Sequence, residues 1–131
     1  MEQIRKKIPE KTDELLYKVA QRVFEEATSD SLGATFHIII SFHLKKKLNK
    51  DPYEVLVDNP SLFYEGLTYV IGEGAEALIS LVAAFIKVKY AVAFTNEEIT
   101  QLFIRHSLDS PEKMRELLRD IISQEEKKLK K

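Results

Sequence analysis

Cysteine is absent from this chain of 131 residues, which excludes disulfides, thiolate nucleophiles and sulfur-ligated zinc or iron. Charge of one sign is lacking as well. Twenty basic side chains stand against 21 acidic ones, so no whole-molecule field favours nucleic acid or an anionic membrane, and either partner would need a local patch. The longest near-unbroken apolar run, Ala77 to Ile86, is closed by Lys87 and Lys89 and falls short of the roughly 20 residues that cross a bilayer. The start, MEQIRKKIPEK, is charged and has no apolar h-region, so neither a signal peptide nor a membrane anchor is expected. A cysteine-free composition rich in Lys and Glu suits a reducing cytoplasm and recurs in heat-adapted organisms.

Glycine is scarce, four in all, and two of the four stand in one segment, IGEGAEALISLV, from Ile71 to Val82. A phosphate loop needs free N–H groups at a helix start with Lys, Arg, Ser or Thr nearby. Here Glu73 and Glu76 occupy those positions and would repel an anion. The glycines read instead as a stop at positive φ, Gly72, and the restart of a second helix near Gly74.

What is present is helical punctuation. The length fits one domain that buries about two thirds of its unfolded surface. Leu16, Val19, Ala20, Val23, Phe24 and Ala27 share one face of a helix over Lys11–Thr28. Asp30 or Ser31 is placed to cap a second helix carrying Phe36, Ile39, Ile40, Leu44 and Leu48. Its middle, His37 to His43, is rich in β-branched residues, but a strand would need a partner and no second convincing one exists. Lys45, Lys46 and Lys47 suit the carbonyl end of that helix.

Asp51-Pro52 and Asn59-Pro60 each supply a cap and a first-turn proline. The first starts a short helix to about Val57, the second a helix that stops at Gly72. The next runs from about Gly74 to Ala91, although Ile86, Val88, Tyr90, Val92 and Phe94 also alternate as an edge strand does. Thr95-Asn-Glu-Glu98 is a capping box, with Ile99, Leu102, Phe103 and His106 following on one face. Ser110-Pro111 starts the last helix, striped by Met114, Leu117, Leu118, Ile121 and Ile122. The prediction is an all-α single compact bundle of five to seven helices with a central apolar helix near 74–91. The ends, 1–9 and 124–131, are expected to fray.

Chemistry finds little support. His37 and His43 are six apart, whereas a helical metal pair needs a separation of three or four, so a hydrogen-bonded histidine at a core margin is the ordinary reading. The carboxylate pairs Asp13/Glu14, Glu25/Glu26 and Glu73/Glu76 fall on outer faces and lack the contrasting environments that acid–base catalysis requires. No G-x-S-x-G elbow occurs. Lys113, Arg115 and Arg119 could serve a helix-turn-helix, but Glu112, Glu116 and Asp120 alternate with them and leave no basic face. No catalytic residue, metal ligand or cofactor site is predicted. Lys45, Lys46, Lys47 and Lys50 remain as a candidate weak anion patch.

From His37 to Leu81 the order of features is Phe42-His43-Leu44, Asp51-Pro52, Asn59-Pro60, Phe63, Leu67 and Gly72-Glu-Gly-Ala-Glu76. This order resembles small helical archaeal domains, among them the type-five Nitrosopumilus output domain. The resemblance implies an output or interaction module in signalling or regulation that binds and does not catalyse.

Phe36–Leu44 and Ala77–Phe94 are apolar on nearly every side, more than a surface helix needs, which predicts burial at the centre or between subunits. A homodimer or another protein partner would cover the surplus. The candidate apolar interface or pocket comprises Phe36, Ile40, Phe42, Phe63, Tyr69, Phe85, Tyr90 and Phe94. An apolar small molecule or lipid enclosed by those aromatics is the alternative. Nucleic acid is a weaker expectation, and a membrane is not expected.

Overall fold

The computed structural model describes residues 2–129, with side chains from Asp13 onward. The described residues form seven helices and no strand, in the order α1 (Glu2–Leu32), α2 (Ala34–Leu48), α3 (Pro52–Asp58), α4 (Pro60–Ile71), α5 (Gly74–Tyr90), α6 (Asn96–Ile104) and α7 (Ser110–Leu129). None of these helices is long and apolar enough to cross a membrane. Of the ends expected to fray, 1–9 and 124–131, the described backbone is helical from Glu2 and as far as Leu129.

Most boundaries follow from local chemistry. Asp51 accepts the Tyr53 N–H at 2.8 Å ahead of Pro52, and Asn59 accepts the Leu62 N–H ahead of Pro60. Each pair satisfies an orphan donor where proline has none to offer. Thr95 and Glu98 close a reciprocal capping box at 3.0 and 2.8 Å. Gly72 ends α4 at φ 66°, ψ −138°, with its N–H still bonded to Thr68 O at 2.7 Å, and α5 restarts at Gly74.

Two expectations are corrected, at the start of α2 and at His106, and one alternative, the edge strand after Ile86, drops out. Asp30 and Ser31 do not cap α2 but lie in the last turn of α1. The break comes at Gly33, whose φ of 95° and ψ of 153° an L side chain rarely adopts. The segment that also reads as an edge strand is helical to Tyr90; Ala91 then takes a left-handed cap at φ 53° with its N–H on Lys87 O. His106 does not continue α6, because Arg105 turns extended and leaves His106 exposed beside Glu65.

The core draws on every helix. α1 supplies the face anticipated for it, and α7 packs Met114, Leu117, Leu118 and Ile121. Phe63 of α4 is fully buried and meets Phe24 edge-on at 5.4 Å and Phe103 at 6.1 Å, so one aromatic cluster joins α1, α4 and α6. Gly66 lets α4 approach α2 closely, since a Cβ there would lie 3.1 Å from Leu48 Cδ2. That approach sets the surface described next.

Candidate functional site

Burial of His37, Ile40 and Leu44 turns one face of α2 into the core and leaves Ile38, Ile39 and Phe42 outward, at 65%, 50% and 58% exposure. On α4, Tyr69 stands 72% exposed opposite the C-terminal turn of α2. Between the two helices lies an open groove of about 470 Å³ lined by His43, Lys46, Lys47, Tyr69 and Val70. The Lys47 ammonium sits 4.0 Å from the centre of the Tyr69 ring, and Lys46 is 5.4 Å from that of Phe42, within the range of cation–π attraction. Among the described residues, no carboxylate pairs with Lys45, Lys46, Lys47 or Lys50. The lysines complement the last carbonyls of α2 and still present positive charge beside exposed apolar rings.

The eight side chains named as an interface or pocket therefore do not gather in one place. Phe42 and Tyr69 flank this groove. Ile40, Phe63 and Tyr90 are core residues, and Phe36, Phe85 and Phe94 are half-buried on its margin. Inside the core an apolar void of about 20 Å³ lies between Val23, Phe24, Phe103 and their neighbours, room for one water at most.

A second outward face lies on α5. Ala77, Leu81, Ala84 and Val88 follow one another at helical spacing. Leu81 is 43% and Val88 87% exposed, and Phe85 is half-buried beside them. The opposite side of α5, with Ala75, Leu78, Ile79, Val82, Ala83 and Ile86, packs on α1, α4, α6 and α7.

The cations of α7 are occupied differently. Arg115 reaches Asp58 at 2.7 Å and Asp13 at 3.3 Å, and burial pulls the guanidinium down less than these two carboxylates hold it up. Lys113 pairs with Asp109 and Arg119 approaches Glu112. Arg22 of α1 clasps Glu125, and that hydrogen bond holds the Glu125 carboxyl below the usual carboxylate range. Of the residues a helix-turn-helix would aim at DNA, Arg115 is thus directed back into the protein, while Lys113 and Arg119 pair with neighbouring carboxylates at the surface.

One partly buried polar cluster has no signature in the sequence. His37 Nε2 lies 3.1 Å from Glu25 Oε2 and 3.4 Å from Ser41 Oγ, and Ser41 Oγ lies 2.8 Å from the Tyr53 hydroxyl. A serine nucleophile needs the acid on one imidazole nitrogen and the hydroxyl on the other. Here both approach Nε2, while Nδ1 is buried without a partner. A proton shared with Glu25 leaves Nε2 no lone pair to take one from Ser41. Burial pushes the Tyr53 hydroxyl up to about 12, against the opposing effect of its bond to Ser41, so it is a neutral hydrogen-bonding group at ordinary pH. The cluster ties α1, α2 and α3 together. It escapes sequence reading because Glu25 and His37 meet only across the α1–α2 turn.

Compared with family models, curated proteins and solved structures, the chain finds no match in any of the three.

Proposed function

We propose that the chain is a non-catalytic helical interaction module of the regulatory, output type, working in the cytoplasm and associating with a second copy of itself. The observation that supports this reading is the exposure of large apolar side chains on two helix faces, Ile38, Ile39 and Phe42 on α2 and Leu81 and Val88 on α5, which no other described element covers. Scattered exposed apolar residues are ordinary, but rows of them along a helix mark contact surfaces. The lysines beside Phe42 and Tyr69 give the α2–α4 surface a preference for a partner carrying negative charge. The order of features from His37 to Leu81 resembles that of archaeal output domains and points to the same role. Static light scattering of the intact chain at micromolar concentration tests the self-association. A mass above the 15.1 kDa of one chain is expected, and 15.1 kDa at every concentration removes that part of the reading.

A further inference from the structure

Charge along α5 says what covers its outward face. Glu73 and Glu76 stand at its start and Lys87 at its end. At 100° per residue, Glu76 and Lys87 lie three turns apart and on the same flank of the Ala77–Leu81–Ala84–Val88 row. The roughly 16 Å between them prevents any pairing within one chain. Among the described residues neither glutamate has a cationic partner, and Lys87 has no carboxylate: its ammonium donates to Val92 O at 2.7 Å and keeps two further N–H groups. The flank therefore carries negative charge at one end, positive charge at the other and a neutral apolar row between.

In a closed dimer the same patch meets itself about a two-fold axis. A parallel arrangement would place the two copies of this flank on opposite sides of the contact and leave Glu76 and Lys87 without partners across it. An antiparallel one sets Glu76 of each copy against Lys87 of the other, Ala77 against Val88, and Leu81 against Ala84 at the axis. The alanines and Ser80 allow the backbones to approach, and Leu81 and Val88 fill the space between them. The basic end of α2 lacks this complementarity, because its lysines have no acidic counterpart on their own face to meet across a two-fold.

We infer that α5 is a homodimerisation surface, on which a second copy of the chain packs its own α5 antiparallel about an axis beside Leu81 and Ala84, with reciprocal Glu76–Lys87 pairs. The inference rests on the reading of the chain as self-associating and adds the surface, the orientation and the pairing. α5 is a single 17-residue helix, and one helix pair falls below the roughly 1,200 Å² of a tight standard interface. The dimer should accordingly dissociate in the micromolar range.

Sedimentation velocity of the intact chain and four variants decides it, with circular dichroism confirming that each stays helical. Val88→Lys should leave monomer at concentrations where the parent chain is dimeric. Glu76→Lys and Lys87→Glu should each weaken the dimer by roughly tenfold, since each places two like-charge pairs across the axis. The double variant Glu76→Lys/Lys87→Glu should recover most of that loss. A dimer untouched by Val88→Lys, or a double variant as weak as the singles, overturns the α5 assignment while leaving self-association standing. A parent chain that is monomeric throughout removes both.

Discussion

α7 and α2 both carry clustered cations, and they use them in opposite ways. Arg115 is only 19% exposed and bridges Asp13 on α1 and Asp58 at the end of α3, joining three helices far apart in sequence. Lys46 and Lys47 of α2 find no carboxylate among the described residues and lean over Phe42 and Tyr69 instead. A guanidinium has the planar fork that spans two carboxylates, whereas an ammonium on a flexible stem keeps its charge available at the surface. Side chains that close the fold are thereby separated from those presented to something outside it.

The contrast fails if an inward group proves dispensable or an outward one proves structural. The largest effect is expected at Arg115. Arg115→Ala leaves Asp13 and Asp58 close together without a cation, and because both carboxylates keep contact with water chemical denaturation should show a loss of about 2 kcal/mol, below that of a fully buried pair; a loss near zero would place Arg115 among the presented charges.

Tyr53 comes next, and its effect depends on pH. Burial raises its folded-state value to about 12 from an ordinary tyrosine value near 10. Its contribution is fully present below about pH 10 and falls as pH rises toward 12, because the unfolded chain ionises first. Relative to Tyr53→Phe, the parent chain should lose up to roughly 2 kcal/mol across that interval, measured as parallel denaturation curves from pH 9 to 12. Equal slopes for the two proteins would deny that the hydroxyl is buried.

Gly72→Ala isolates backbone conformation, since an added Cβ meets no atom within 4 Å while φ is +66°. A loss of about 1–2 kcal/mol is expected, and an unchanged melting temperature would place the corner in another conformation. The smallest effects belong to α2, where Lys46→Ala and Lys47→Ala should each change stability by less than about 0.5 kcal/mol. A larger loss would mean that these lysines hold the fold and are not free for a partner.

Much of the helical architecture was legible in the sequence because its signals are local. Asp51-Pro52, Asn59-Pro60 and Thr95-x-x-Glu98 fix helix starts within four residues, and the buried faces of α1 and α7 follow the 3.6 period. Gly33 was missed because Asp30 and Ser31 offered a plausible cap just before it. What local pattern does not carry is the partner across the fold. Arg115 with Asp13 and Asp58, and His37 with Glu25, become neighbours only after packing. The groove was legible in halves, Phe42 with Tyr69 and Lys46 with Lys47, and the close α2–α4 approach at Gly66 joins them. On α5, apolar residues on nearly all sides hid which row faces outward, so Leu81 and Val88 emerge only from the structure.

The central claim, that α5 meets a second copy while α2 stays available, is tested most directly by methyl NMR spectra of the intact chain over a dilution series from about 500 to 5 µM, spanning the micromolar dissociation expected for an interface of this size. The methyl signals of Leu81 and Val88 should shift with concentration while those of Ile38 and Ile39 hold still. Shifts confined to Ile38 and Ile39, or none at any concentration, would contradict it.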